Sequence, residues 1–358
     1  MKAMVLVGHG GLDQLVWRED YPKPVAGPGD VLIRVAACGL NNTDVNTRTG
    51  WYSKGVTSGT TGSADAAVSD EDPTWGGRPI QLPRIQGADV VGIVEAVGEG
   101  ADPALLGRRV MVETWLRDPE APEDLDRTGY YGSERDGGFA QWTTVPAENA
   151  HPIESPLSDA ELATFPTAYV TAENMLDRAE VGAGDRVLIT GASGGVGSAL
   201  IQLANRRRAT TIAMASPAKL AQVRAVGAHH VLPRAPDDLR AALKAETGQD
   251  HVSVVADVVG GDGFGDLIEV LMRGGRYTVA GAIAGPIVSL DLRTLYLRDL
   301  VFTGATVVPK GTFARLVAHI ERGEVRPLLA ATYPLAGLHQ AQTAFMAKEH
   351  VGNIVVLP

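Results

Sequence analysis

The chain has 358 residues, a length that corresponds to about two domains. It carries 32 basic and 42 acidic residues, and the net charge of −10 disfavours nucleic acid or an anionic membrane surface as the main partner. A single cysteine excludes a disulfide framework within the chain, and no apolar run reaches the length of a membrane span. We therefore expect a cytoplasmic protein.

The first 155 residues contain short β-forming runs, which glycine, proline and aspartate interrupt. Examples are residues 31–37, 89–97 and 109–112. Such runs are typical of β-strands, so we expect a β-rich first domain. Within this region, residues 53–80 are rich in Ser, Thr, Gly and Ala. Two interpretations of that segment are open, a disordered surface loop or a lid beside a site.

From residue 157 to about 300, strand-like and helix-like segments alternate. The predicted strands are 187–190, 210–215, 230–232, 252–259 and 275–281, and the predicted helices are 198–207, 218–226, 235–246 and 262–272. This alternation predicts an α/β domain built on a doubly wound parallel sheet.

The C-terminal part returns to mixed elements and ends in an apolar run at residues 353–357. This run has no partner in the middle domain, so we expect it to fold back onto the first one. The predicted organisation is a discontinuous β-rich domain of residues 1–156 and 303–358, with a second domain of residues 157–302 inserted into it.

A glycine-rich turn follows the first strand of the alternating region, with glycines at 191, 194, 195 and 197. A strand that leads into a tight turn and a helix directs backbone N–H groups and the positive helix end at one point, which suits a diphosphate. A plain strand–helix turn is the alternative interpretation. In this context we favour a dinucleotide site, with contacts from Ser193, Gly194, Gly195 and Val196.

The end of the second strand bears on the choice of cofactor. NAD-binding domains place an acidic residue there to accept hydrogen bonds from the ribose. This chain has Ala215 at that position, followed by Ser216 and Lys219, and Arg234 follows the third strand. A hydroxyl and two cations suit a 2′-phosphate, which a carboxylate would repel, so the sequence favours NADP(H). The alternative for Lys219 is a solvated helix face.

Several short runs together resemble the medium-chain dehydrogenase/reductase superfamily. They are residues 28–35, 94–98, 107–110, 137–141, 192–197 and 274–276. The resemblance covers nearly the whole chain and implies a Rossmann domain, here residues 157–302, joined to a discontinuous GroES-like catalytic domain. It also implies a homodimer that pairs through edge strands near residues 300–308.

The resemblance implies further cofactor contacts. Thr167 is expected near the nicotinamide ring, and Val259, Ala282 and Ile283 follow the strands whose carboxyl ends bind ligands in such sheets. Asn353 stands where many relatives have a lysine, which puts any contribution of that position to cofactor binding in doubt.

Zinc-dependent members of this superfamily hold the catalytic ion with a cysteine, with the histidine of a Gly-His-Glu triplet, and with a second cysteine or an acid. Here Cys38 stands at the first ligand position, but Ala88 replaces the histidine and the third position falls near Ala163. Tetrahedral zinc needs about three protein ligands, which one thiol cannot supply. We therefore predict no metal and membership of the zinc-free branch, which includes quinone oxidoreductases and enoyl reductases.

The stretch from Asn42 to Asn46, followed by Gly50 and Tyr52, is similar to a signature of that branch. There the asparagine and tyrosine face the nicotinamide and the substrate. Without a metal, another group must stabilise the charge that develops on an oxygen as hydride arrives, and a phenol, with a pKa near ~10, can donate the hydrogen bond. The alternative for Tyr52 is an aromatic wall beside a loop.

The sequence thus predicts an oxidoreductase in which NADPH transfers hydride to an activated C=C bond or a quinone, with Tyr52 and Asn42 at the reacting oxygen. Two alternatives are open. One is an NADP-dependent alcohol dehydrogenase or aldehyde reductase that works without zinc. The other is a non-catalytic, crystallin-like protein that only binds the cofactor.

Overall fold

The computed structural model describes residues 1–60, 69 and 74–358 of the chain. The strands of this part, in chain order, are β1 (Ala3–Leu6), β2 (Leu15–Arg18), β3 (Asp30–Gly39), β4 (Asp89–Val97), β5 (Arg109–Val112), β6 (Trp115–Leu116), β7 (Gly129–Tyr130), β8 (Trp142–Pro146), β9 (Ala150–Pro152), β10 (Arg186–Ile189), β11 (Thr210–Ala215), β12 (His230–Pro233), β13 (Val252–Asp257), β14 (Leu271–Val279), β15 (Val301–Gly304), β16 (Leu329–Pro334) and β17 (Asn353–Leu357). The helices are α1 (Asn42–Arg48), α2 (Asp159–Leu162), α3 (Pro166–Arg178), α4 (Gly195–Arg206), α5 (Leu220–Val226), α6 (Leu239–Thr247), α7 (Phe264–Glu269), α8 (Leu292–Leu297), α9 (Thr312–Glu321) and α10 (Leu338–Ala347).

Six of these strands form a parallel sheet in the order β12-β11-β10-β13-β14-β15. Helices connect successive strands, and the order reverses between β10 and β13, which confirms the predicted doubly wound sheet. Both faces of the sheet are covered. Val187 and Ile189 belong to the core beneath α3 and α4, whereas Leu188 belongs to the core on the opposite face. This burial on both faces explains why the strands are apolar without alternation.

The other large sheet is mainly antiparallel and has the order β16-β17-β3-β4-β5-β9, with β8 also paired to β3. Its strands come from both ends of the chain, since Val356 of β17 pairs with Cys38 of β3. Ile354 and Val356 of β17 are buried in the core of this sheet. The exact domain boundaries, 1–156 with 303–358 and 157–302, stay a prediction.

Two predicted helices differ from the observed ones. The helix predicted at 235–246 begins only at Leu239, because Asp238 caps it by accepting a hydrogen bond from the N–H of Ala241 (2.9 Å). The helix predicted at 262–272 is reduced to α7, and Leu271 already pairs with Val252 of β13. Here pairing with the sheet overrides a helical spacing of apolar residues.

The helices of the described residues are too short or too polar to cross a bilayer. Residues 61–68 and 70–73, in the middle of the segment 53–80, lie outside the described part, so the two interpretations of that segment stay predictions.

Candidate cofactor and substrate site

The point where the parallel sheet reverses its strand order lies between β10 and β13, and ligands of such sheets bind at the carboxyl ends of these strands. Asp257, the last residue of β13, is fully buried here and connects β13 to the neighbouring strands β10 and β14. Its carboxylate accepts hydrogen bonds from Thr190 Oγ1 (2.5 Å), from the Val259 N–H (2.8 Å) and from the Tyr277 hydroxyl (2.7 Å). Asp257 was not among the predicted site residues. A carboxylate at the end of a largely apolar strand was the available signal.

The glycine-rich turn connects β10 to α4 at this same point. Gly191 has a φ of 55°, which favours glycine, and its carbonyl accepts a hydrogen bond from the Gly194 N–H (3.0 Å). A side chain at Gly197 would collide with the Gly191 carbonyl. Residues 193–196, the predicted diphosphate contacts, thus lie in the turn and the first helical residues, where backbone N–H groups lack partners within the helix.

The C-terminal segment packs directly against this turn. The Gly352 N–H donates to the Ser193 carbonyl (3.0 Å), and the Asn353 amide donates to the Thr164 carbonyl (2.5 Å). A Cβ at Gly195 would collide with the Oδ1 atom of Asn353. Asn353 therefore packs against the start of α4.

The structure brings together the three residues predicted to bind a 2′-phosphate. Arg234 donates its N–H to the Ala215 carbonyl (2.8 Å), and Lys219 donates its N–H to the Ser216 carbonyl (2.9 Å). The amino group of Lys219, however, turns toward the C-terminal segment, where it donates to the carbonyls of Lys348 and, at 2.8 Å, His350. Burial and the nearby charge of Arg234 lower the pKa of Lys219.

Two loops after β13 and β14 connect the parallel sheet to the first part of the chain. The Ala284 N–H donates to the Val259 carbonyl (2.8 Å), so the loop with Ala282 and Ile283 lies on the end of β13. The Thr60 N–H donates to the Ile283 carbonyl (3.0 Å). These predicted nicotinamide contacts therefore lie beside the loop that follows Tyr52.

A buried polar cluster lies around the start of α1. Asn41 and Asp44 form a capping box, in which the Asp44 carboxylate accepts the Asn41 N–H (2.7 Å). The Asn41 side chain lies beside the carboxylate of Asp89 and lowers its pKa. Burial nevertheless raises the pKa of Asp44 to about 7 and that of Asp89 to about 6. Asn41 and Asp89 were not among the predicted site residues.

Thr167 joins this cluster through a hydrogen-bonded chain. Its N–H (2.9 Å) and its hydroxyl (2.5 Å) both donate to Asp89 Oδ1, and the Tyr130 hydroxyl lies 2.8 Å from Thr167 Oγ1. Because a threonine hydroxyl carries one proton, donation to the Asp89 carboxylate makes Tyr130 the donor to Thr167. Burial, followed by the charge of Asp89, raises the pKa of Tyr130 well above its ordinary value.

Tyr52 is half-buried and lies close enough to Tyr130 for the charges of the two phenols to interact. Its ring meets the ring of Trp51 edge-on at 5.6 Å, and the Trp51 indole donates to the Ser58 carbonyl (2.9 Å). Burial raises the pKa of Tyr52, while the side chains of Thr43 and Asn46 oppose that rise. Both phenols are therefore neutral donors at neutral pH.

Asn42 begins α1 on the side facing the C-terminal segment. Its Oδ1 atom accepts a hydrogen bond from the amino group of Lys348 (2.9 Å), which also lies 3.6 Å from the centre of the Phe345 ring. The structure thus connects Asn42 to Lys348, and the neighbouring Asn41 to Asp89.

The residues at the expected metal position do not fit a zinc ion. In the described ranges, no group of three or more His, Cys, Asp and Glu side chains is placed to hold a metal. Burial and the charges of Asp44 and Asp89 raise the pKa of the Cys38 thiol, whereas zinc binds the thiolate. Ala88 is buried and offers no donor side chain.

Comparisons with known proteins cover the whole chain. Residues 27–155 match the family model of the alcohol dehydrogenase GroES-like domain, and residues 195–322 match that of the zinc-binding dehydrogenase. A solved structure from Sinorhizobium meliloti 1021, described as a "putative alcohol dehydrogenase", is 49% identical, with a TM-score of 0.90, and the alignment covers 100% of this chain and 96% of that chain.

Two more distant relatives differ from each other in activity. A quinone oxidoreductase of Lama guanicoe is 27% identical over 368 residues, which are 100% of this chain and 97% of that protein. A solved NAD-dependent alcohol dehydrogenase is 28% identical, with a TM-score of 0.87 and full coverage of both chains.

Proposed function

This chain belongs to the medium-chain dehydrogenase/reductase superfamily of oxidoreductases, and on that premise we propose that it is a zinc-independent, NADPH-dependent reductase of activated C=C bonds or quinones. The observation that carries the proposal is the half-buried phenol of Tyr52, which lies near the buried phenol of Tyr130. The loop that follows Tyr52 is bonded through Thr60 to Ile283, which is proposed to contact the nicotinamide.

The phenols supply what the proposed chemistry needs. When hydride reaches the β-carbon of an enone, electrons move to the carbonyl oxygen, and a prearranged donor stabilises the resulting charge. Tyr52 is the proposed donor. Asn42 is proposed to assist, because the hydrogen bond from Lys348 to its Oδ1 orients the amide and leaves the amide nitrogen as its donor side.

NADP(H) is the proposed cofactor. Ala215 leaves the end of β11 without a carboxylate, and Ser216 and Arg234 supply a hydroxyl and a cation next to it. Lys219 lies in the same turn, with its amino group bonded to the C-terminal segment. Since one relative is an NAD-dependent enzyme, the choice needs a direct test. Titration of the intrinsic fluorescence should give tighter binding of NADPH than of NADH. Equal or tighter binding of NADH would contradict this part of the proposal.

The second candidate function is alcohol oxidation or aldehyde reduction, and the relative with 49% identity favours it. The two candidates separate in a steady-state assay of NADPH oxidation over matched enones, quinones and aldehydes. The proposal expects higher kcat/KM for enones or quinones than for the saturated aldehydes of the same carbon skeleton. The reverse order would establish the alternative, and inactivity across the panel despite tight NADPH binding would indicate a non-catalytic protein.

A homodimer is proposed to pair through β15, which forms an open edge of the parallel sheet. Large apolar side chains near this edge are exposed, including Val301, Ile287 and Tyr296. Exposed apolar patches of this kind commonly mark protein interfaces. Light scattering should show two chains per particle, and Val301→Lys with Tyr296→Asp should give one. A monomeric native protein would refute the pairing.

A further inference from the structure

Lys348 has no role in the function proposed above beyond its contact with Asn42. We propose that Lys348 binds the diphosphate of the nicotinamide cofactor, an inference that rests on the proposed function because it takes cofactor binding as given. It commits the residue to the diphosphate, which NADH and NADPH share, and not to the 2′-phosphate.

The backbone places Lys348 at a sharp turn. It follows α10 with a φ of 53°, a conformation that residues other than glycine rarely adopt. This turn reverses the chain so that residues 348–352 run back toward the glycine-rich turn, where the Gly352 N–H donates to the Ser193 carbonyl. The segment therefore extends from Asn42, which Lys348 contacts, to the start of the proposed diphosphate site.

Lys219 fixes the same segment from the other side. Its amino group donates to the carbonyls of Lys348 and His350, and it comes from the turn after β11. Lys348 therefore lies between the turn after β11, whose Lys219 bonds its carbonyl, and Asn42 at the start of α1. Four residues later the same segment reaches the glycine-rich turn through Gly352. A diphosphate held by the N–H groups of that turn would be in the neighbourhood of this amino group.

The charge of Lys348 is not neutralised in the described part of the chain. The contacts of its amino group there are the Asn42 amide oxygen and the ring of Phe345, and the side-chain contacts of Lys219 are two neutral carbonyls. Both lysines are half-buried, and removing a cation in part from water beside a second one costs free energy that a nearby anion would offset. The cofactor diphosphate is the anion that the glycine-rich turn is proposed to hold.

Protonation supports the same conclusion. Burial and the charge of Lys219 lower the pKa of Lys348 to about 7, so a nearby anion would raise it and draw a proton from solvent. The other titratable groups here are Arg234, Glu349 and His350. Burial and the charges of the two lysines lower the pKa of His350 to about 4, so this imidazole is neutral at pH 8 and contributes little to such an uptake.

The first test measures cofactor affinity of the full-length protein by isothermal titration calorimetry, with NADPH and NADH as separate probes. Lys348→Met should weaken both by about the same factor, tenfold or more, the size expected for loss of a charge-assisted hydrogen bond. Lys219→Met should weaken NADPH more than NADH if Lys219 serves the 2′-phosphate. Lys310→Met, at an exposed lysine, is the matched control and should leave both affinities unchanged.

The second test separates charge from structure. At pH 8, titrations in two buffers of different ionisation enthalpy should show proton uptake on cofactor binding by the native protein. Lys348→Arg, which stays charged, should keep most of the affinity and lose this uptake. A merely structural contact with Asn42 would produce no proton uptake to lose. Thermal unfolding of each variant checks that the fold is retained.

The outcomes are distinct. Unchanged affinity of Lys348→Met for both cofactors would overturn the inference while native binding kept the proposed function intact. Weakening of NADPH alone would assign Lys348 to the 2′-phosphate and also overturn it. A native protein that bound neither cofactor would refute the proposed function itself and, with it, the role of Lys348.

Discussion

The reversal point of the parallel sheet and the polar cluster around α1 are built in opposite ways. At the reversal point the proposed cofactor contacts are backbone groups of one stretch of sequence, the turn that Gly191 and Gly197 shape, while the carboxylate of Asp257 supports the strand ends beneath them. The polar cluster consists of side chains from distant parts of the chain, among them Asp44, Asp89 and Thr167. A site formed by backbone groups accepts few substitutions, because added side chains collide with the closely packed turn. A site formed by side chains can change its chemistry by substitution while the fold stays the same.

The largest expected effect falls on the polar cluster. Tyr52→Phe should lower turnover on an accepted enone by about 10²–10³, because a hydrogen-bond donor to the developing oxygen charge is lost. Its Kd for NADPH should stay close to the native value, because the phenol is not proposed to bind the phosphates. Tyr131→Phe, a control at a tyrosine bonded to Thr143 in the core, should leave turnover largely unchanged. Full turnover of Tyr52→Phe would show that the Tyr52 hydroxyl does not stabilise the charge that develops on the oxygen.

At the reversal point the expected effect is on stability. Asp257→Ala leaves the buried hydroxyls of Thr190 and Tyr277 without their acceptor, and should lower the free energy of unfolding by roughly 3 kcal/mol. Chemical denaturation measures this loss, with Asp266→Ala as the control at an exposed aspartate. If Asp257→Ala were as stable as the control, the carboxylate would not be holding the two strand ends together.

A smaller change tests the turn itself. Gly197→Ala introduces a Cβ that collides with the Gly191 carbonyl, and such overpacking typically costs about 1–3 kcal/mol. It should also weaken NADPH, because the collision displaces the N–H groups of the turn. Gly265→Ala, where the added Cβ meets nothing within 4 Å, should do neither. Equal behaviour of the two variants would show that the turn is not tightly constrained.

The smallest effect concerns pH. The pKa values of Asp44 and Asp89 are raised by burial to about 7 and about 6, above the value near 4 of an unfolded aspartate. The folded state therefore binds protons at these two carboxyl groups more tightly than the unfolded state does. The stability that this contributes is fully present below pH 4 and is lost as pH rises to 7. Asp44→Asn should therefore gain stability relative to the native protein over that range, in denaturation curves at each pH. A constant difference from pH 4 to 7 would contradict this.

The two regions also differ in how far the sequence predicts them. The strands of the parallel sheet follow from apolar runs, and the glycine spacing indicates the turn between β10 and α4. Lys219 was identified by its position after β11, but the direction of its amino group depends on the C-terminal segment, 129 residues away along the chain. Sequence periodicity carries no information on such a contact.

The polar cluster was much harder to predict. Thr167 was placed near the nicotinamide by resemblance, yet its link to Asp89 and Tyr130 requires three segments to meet. Asn41 and Asn42 are adjacent and chemically identical, so only the capping geometry of α1 separates the one beside Asp89 from the one bonded to Lys348. Their side chains diverge because consecutive residues at a helix start do not share a face.

The central claim is that the two regions meet over a single nicotinamide ring. The most direct measurement is a crystal structure of the protein with bound NADP⁺. It should show the diphosphate on the turn of residues 191–197, the nicotinamide beside Ile283, and the Tyr52 hydroxyl facing the C4 side of the ring. A zinc ion at Cys38, or a ring from which Tyr52 points away, would contradict the account.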